Sequence, residues 1–463
     1  MERKSDDIGS KSQLSIDSTA QSGNRTPLQD PEKLAVEQST QANSQIVEEG
    51  TPDHSKNPWH PSQFPDGGLE AWGVVAGAAC GMFCSFGWLN AIGVFQSYYA
   101  THQLKDYTSS EVAWIPSLEI FMMFIMGPLV GYVYDNRGPR ELLLVGSFLH
   151  VFGLMMTSIS HTYYQILLAQ GICSPLGLNC IFNASIGSVT TWFFKKRGAA
   201  FGIMAAGSSL GGVIFPIMVN HLIEEVGFGW SMRIVAFMIL GMLIIANLTI
   251  KSRLPPKKRA FKWMQFVTPF KDLKFSVLTV ACFLFFMGLF IPINFIETQA
   301  LASGMSLGLA QYLIPILNAA SVFGRVIPGI LADKWGRYNL NIITSFLSGI
   351  FTLALWLPAS GNAAVIAFAA LYGFTSGAFV SLAPGQIAQI SKVEDIGVRS
   401  GLLFAVLSFA GLVASPIAGA IVNSQNGSFT GAQIYAGVFI LAGATMFIFA
   451  RATLVGFKLA VKV

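Results

Sequence analysis

Gly131-Tyr132-Val133-Tyr134-Asp135-Asn136-Arg137-Gly138-Pro139-Arg140 and Gly329-Ile330-Leu331-Ala332-Asp333-Lys334-Trp335-Gly336-Arg337 are two versions of one turn. Glycine, aspartate and glycine recur at the same offsets, and arginine closes each stretch. The pattern suits a tight connection between helices. The first glycine permits close packing, the aspartate caps or pairs at a helix end, and the second glycine accepts a positive φ. Arg137, Arg140 and Arg337 supply positive charge at the membrane surface. The first stretch follows the second long apolar run of the chain, and the second follows the eighth. A six-helix unit is therefore duplicated.

Working outward, the chain has 463 residues, of which 53% are hydrophobic and only 11% charged. Soluble proteins carry about a quarter charged residues, so an all-α membrane protein is expected. Residues 1–68 differ: they are polar, rich in Ser, Gln, Asp and Glu, and read as a disordered tail. No basic stretch followed by an apolar core opens the chain, so no cleavable signal peptide is expected. Cys80, Cys84, Cys173, Cys180 and Cys282 all lie in apolar runs without metal-ligand spacing, and read as small buried hydrophobes. The net charge of +5 is not a nucleic-acid signal, because topology explains the basic residues.

A helix crossing roughly 30 Å of hydrocarbon needs about 20 apolar residues. Twelve runs meet that test: 71–97, 112–133, 139–159, 163–189, 199–222, 232–252, 274–296, 308–331, 339–357, 363–387, 399–422 and 432–454. Two halves are expected, 69–252 and 274–463, joined by a basic linker at 253–273. With residue 1 inside, roughly 20 Lys and Arg fall on the cytoplasmic side and about two outside, so both termini are expected in the cytoplasm.

The paired loops resemble the signature of the major facilitator superfamily, and the resemblance covers residues 69–463. It implies two six-helix halves rocking about a central cavity, with substrate bound near the midplane. Two further stretches resemble the monocarboxylate porter family, in its fungal branch. One is Asp66-Gly67-Gly68 leading into the first run; the other is Trp192-Phe193-Phe194-Lys195-Lys196-Arg197 leading into the fifth. Physically, Asp66 can start the first helix at the cytoplasmic interface. Lys195, Lys196 and Arg197 hold their loop inside. These motifs read as gating and folding elements rather than substrate contacts.

Ionisable groups inside a bilayer are costly, so Glu119 and Arg325 are functional candidates. The resemblance implies that Arg325 binds a substrate carboxylate. The competing reading is that Arg325 pairs with backbone carbonyls or Asp333. The family's proton-coupling Asp and Lys are replaced here by Ser321 and Asn90, neither of which titrates usefully. Glu119 is the substitute candidate for a proton site. Asn179, Asn183, Asn294 and Asn318, with Gln386 and Gln389 of the tenth run, are the other polar residues within the runs, with helix-to-helix bonding the alternative to substrate contact for each. The aromatics Phe83, Phe86, Trp88, Phe95, Phe283, Phe285, Phe286 and Phe290 of the first and seventh runs are candidates for facing the cavity, with lipid or neighbouring helices the commoner alternative. Asn426-Gly427-Ser428 is a glycosylation sequon in the last outside loop.

No nucleotide loop, metal cluster or nucleophile elbow is legible, so neither an enzyme nor a cofactor is expected. The expected function is secondary transport by alternating access, with a small organic substrate and the bilayer as partners, protons as a candidate co-substrate, and a monomer as the unit. Export of a secondary metabolite is favoured. Uptake of a monocarboxylate or a riboflavin-like vitamin, coupled to protons, is the alternative, and a nutrient sensor the minor one. The plasma membrane is the expected site, with the vacuolar membrane second.

Overall fold

A computed structural model describes residues 63–107, 109–256, 260–458 and 461–463. The tail expected over 1–68 lies outside the described residues up to residue 62, as do Lys257, Lys258 and Arg259 of the linker. The last part of the expected tail is ordered: Phe64 is only 7% exposed, and Asp66 is hydrogen-bonded to a neighbouring loop.

Among the described residues the architecture is wholly helical. In chain order the long helices are α1 (Leu69–Phe95), α2 (Trp114–Arg137), α3 (Pro139–Thr157) and α4 (Tyr163–Trp192). Next comes Arg197–Thr249, one helical run broken at Gly227, where φ 78° and ψ 164° leave helical space. Its two parts, 197–226 and 228–249, are α5 and α6. Then follow α7 (Leu273–Ala302), α8 (Leu307–Trp335), α9 (Arg337–Trp356), α10 (Asn362–Ile390), α11 (Val393–Ser424) and α12 (Thr430–Val455). The sequence placed a connector over 223–231 between the fifth and sixth runs. The chain stays helical on both sides of Gly227 instead, because one residue without a Cβ suffices to change direction.

These segments become helices because hydrocarbon offers no partner for a backbone N–H or C=O, so each segment must satisfy its own. Large apolar side chains such as Phe148, Phe237 and Leu248 stay exposed on the perimeter, as a lipid-facing surface requires. Two of the inner helices depart from α geometry. Phe83–Gly87 in α1 and Ala169–Cys173 in α4 are π-helical, a widening often found at functional positions.

Packing follows the duplication. In the first half α1 lies against α5 and α3 against α4; in the second, α7 lies against α11 and α12, and α8 against α10. The halves meet along two seams, α2 with α11 and α5 with α8. A shift of six helices converts one seam into the other. All five cysteines are free.

Candidate functional site

The two quoted loops sit at the same end of the bundle, here called the motif end, and each grips the opposite half. Asp135, at the end of α2, accepts the amides of Gly397 (3.2 Å) and Val398 (3.0 Å) in the first turn of α11. Asp333, at the end of α8, accepts the amides of Gly198 (2.8 Å) and Ala199 (2.9 Å) in the first turn of α5. A helix N-terminus has orphan amides and a partial positive charge, so a carboxylate there is well placed. In both seams the aspartate comes from one half and the helix start from the other.

Glycines bring the backbones close enough for this. A Cβ on Gly131 would lie 2.2 Å from the Gly397 carbonyl oxygen, and one on Gly329 would lie 2.6 Å from that of Gly198. Gly138 and Gly336 turn the chain with φ of 81° and 98°. The arginines diverge: Arg337 donates to Asp333 at 3.3 Å, Arg137 pairs with Glu141 at the surface, and Arg140 is exposed.

Asp66 does not cap α1. The N-cap of that helix is Gly68, with φ 91° and no side-chain bond, and Gly67 precedes it. The Asp66 carboxylate instead accepts the amides of Phe194, Lys195 and Lys196 at 2.7, 2.7 and 3.0 Å. Three consecutive amides in a turn make a ready anion cradle, and the carboxylate sits there rather than at the helix start. Lys195 and Lys196 point outward, whereas Arg197 is buried and donates to the carbonyls of Phe193, Thr190 and, across the junction, Ala388.

Deeper in the α5–α8 seam, Arg325 is 4% exposed. Its guanidinium donates to the Ala205 carbonyl at 2.7 Å and to the Ser208 hydroxyl, both on α5. It does not reach Asp333, which is occupied with α5 amides and Arg337. Asn90 of α1 donates to Asn318 of α8 at 3.3 Å and to the Ser208 carbonyl at 3.4 Å. Asn90, Ser208, Asn318 and Arg325 thus form one polar seam between the halves.

The remaining candidates disperse. Ser321 lies against Gly377 of α10, within its own half. Asn179 donates to the Met123 carbonyl on α2, and Asn183 donates back to Asn179. Asn294 donates to Ser415 at 2.7 Å, linking α7 with α11. Asn426 sits in an exposed turn with φ 54°.

Glu119 is completely buried in α2. Gln170, inside the π-helical turn of α4, donates to its Oε2 at 3.2 Å, and Tyr99 donates to the Gln170 oxygen at 2.5 Å. The other carboxyl oxygen has no hydrogen-bond partner, and the Trp88 indole stands near the carboxyl without hydrogen-bond geometry. Tyr99 and Gln170 were not legible as functional. A buried Gln in an apolar run was the only signal.

A second group of side chains crosses the junction: Phe86, Phe124 and Phe182 of the first half meet Phe286, Phe290 and Phe404 of the second. No group of three or more His, Cys, Asp or Glu able to hold a metal occurs among the described residues.

A family model described as "Major Facilitator Superfamily" matches residues 77–371. The chain belongs to the major facilitator superfamily. As a major facilitator it is a multi-pass membrane transporter rather than an enzyme. It is 56% identical over 407 residues to "MFS-type transporter 1" of Ophiocordyceps sp., covering 88% of this chain and 91% of that one. It is 45% identical to the "Fujikurins efflux protein" of Gibberella fujikuroi, over 85% of this chain and 84% of that one. Among solved structures, the proton:xylose symporter XylE superposes with a TM-score of 0.66 at 13% identity, over 82% of this chain and 95% of that one. That likeness establishes the fold, and it agrees with the twelve helices and two halves seen here. Relatives of this major facilitator include fungal secondary-metabolite transporters.

Proposed function

We propose that this chain exports a fungal secondary metabolite by alternating access. The observation carrying the proposal is the commitment of Arg325. Its Nη1 is engaged by the Ala205 carbonyl and Ser208 while Nε has no partner, and the side chain is buried inside the α5–α8 seam, so the planar fork that a small carboxylate would need is not presented to a cavity. The efflux role printed for the Gibberella fujikuroi relative supports the direction. The motif end is the cytoplasmic end and both termini face the cytoplasm, as the inside bias of Lys and Arg supports. In the conformation seen here, the Asp135 and Asp333 grips hold that end shut. The plasma membrane is the site of action, and the monomer is the working unit.

Membership of the fungal monocarboxylate-porter branch is part of the same proposal. Its support is that the two family-like stretches form one structural unit through the Asp66 bonds to residues 194–196. Glu119 serves as the proton site of an antiporter, supported by its complete burial and its half-satisfied carboxyl group. Asn426 carries a glycan, supported by its exposure in the 425–428 turn.

The deciding experiment is untargeted metabolite profiling of cells and medium, with and without the gene. One compound retained in cells and depleted from the medium on deletion identifies both function and substrate. A supplied monocarboxylate or vitamin left in the medium of the deletion strain establishes uptake instead. Removing residues 2–60 separates both from a sensor, which would lose its output while a transporter keeps moving substrate.

A further inference from the structure

The six phenylalanines at the junction have no part in the Asp135 and Asp333 grips, and their position asks for a role. Phe182 and Phe404 lie 4.9 Å apart between ring centroids, Phe124 and Phe404 5.3 Å, Phe124 and Phe286 6.2 Å, and Phe86 and Phe290 6.5 Å. Each of these pairs joins one half to the other. None of the six rings is more than 7% exposed. Counting the helical rise inward, Phe404 stands about 12 Å from Ile396 at the start of α11, and Phe290 about 26 Å from Leu273 at the start of α7. The cluster therefore lies well inside the bundle, away from the motif end.

A core that stabilised one half would be built from that half. This one is shared, so every opening of the junction must part these rings and present their faces to whatever enters. Offset and edge-to-face contacts between rings are replaced without loss by the same contacts to a guest with flat or ring-shaped apolar faces. Asn90 on α1, four residues beyond Phe86, already donates to Asn318 across the junction. Phe86 also lies in the π-helical turn of α1, a geometry with a built-in alternative packing.

We infer that this six-phenylalanine cluster is the substrate-binding surface, and that its ligand is an uncharged, ring-containing, largely apolar molecule rather than a small carboxylate. The inference rests on the efflux reading and narrows it to a ligand class. The Asn90–Asn318 pair supplies the one or two hydrogen bonds that such a ligand needs for orientation.

The test has two arms. In the native host, a deletion strain is complemented with wild type, with the double variant Phe124→Ala/Phe286→Ala, with Phe124→Leu/Phe286→Leu, and with the perimeter control Phe148→Leu, whose ring is 66% exposed. At equal surface abundance, the alanine double variant is expected to lower the exported-to-retained ratio of the compound at least tenfold. The leucine pair, which keeps apolar volume, covers the case in which the alanine pair fails to fold, and is expected to lose export partially. The perimeter control is expected to match wild type. Wild-type export by both double variants overturns the inference while leaving the efflux reading intact. A deletion without any export defect sinks the efflux reading and passes the decision to the second arm.

There, purified protein is heated with N-phenyl-1-naphthylamine, a neutral aromatic probe, or with benzoate. Stabilisation by the neutral probe in wild type, lost in both double variants, is the expected result. Stabilisation by benzoate but not by the neutral probe overturns the inference, as does an equal shift in wild type and variants.

Discussion

Asp135 accepts the backbone amide of Val398 at 3.0 Å, and that bond spans the junction between the two halves of the transporter. Asp333 repeats it with Ala199 at 2.9 Å. An aspartate at a helix start stabilises by about 0.5–2 kcal/mol, and about 1.4 kcal/mol is a tenfold change in an equilibrium. Asp135→Ala is therefore expected to shift the motif end toward its open state by about tenfold, and Asp333→Ala by a similar factor. The readout is thiol labelling of a cysteine placed at Ser400, which is 2% exposed in α11, in a background without the native cysteines. Labelling unchanged by either aspartate substitution would remove them from the gate.

Gly131→Ala tests the same face by crowding it. The added methyl meets backbone, not a yielding side chain, at 2.2 Å from the Gly397 oxygen. Closure of the motif end is expected to fail, and turnover to fall at least about tenfold. Gly241→Ala, where nothing lies within 4 Å, should leave turnover unchanged and serves as the control.

Arg325→Met should act on the protein rather than on one kind of cargo. Hydrogen bonds from a charged donor contribute about 1.5–3 kcal/mol, and those to Ala205 and Ser208 are lost together. A drop in Tm and a fall in transport by the same factor for neutral and anionic substrates are expected. A selective loss of carboxylate transport would restore the substrate role implied by the family resemblance.

Glu119→Gln is isosteric and keeps a partner for Gln170 while abolishing titration. In vesicles, wild-type export should speed up when the proton gradient is directed against the substrate flux. The variant should move substrate at a rate independent of that gradient. A wild-type response to pH that survives in the variant would exclude Glu119 as the proton site.

The helices and the duplicated loops were legible because both are local. Apolar run length reports membrane crossing, and a turn is written in its own few residues. What was not legible depends on which faces meet. Asp135 advertises a cap, but its partners Gly397 and Val398 come from another half of the chain. Asp66 looks like the start of α1, yet three amides beyond α4 claim it. Arg325 carried two readings, and its bonds to Ala205 and Ser208 depend on where α5 lies. Ser321 lies only four residues from Arg325 but faces another helix of its own half. The six phenylalanines are spread over five helices, and no spacing in the sequence unites them.

The glycine contacts at the motif end carry one last implication. Where Gly131 meets Gly397 and Gly329 meets Gly198, the closing surfaces are peptide backbone with almost no hydrocarbon on them. Pulling them apart wets little grease, so the penalty that normally welds two packed domains together is missing there. At the motif end itself the hold is then a handful of hydrogen bonds, and the apolar cost of opening falls on the six rings at the centre, where a guest can offset it. A door so lightly latched answers to its cargo.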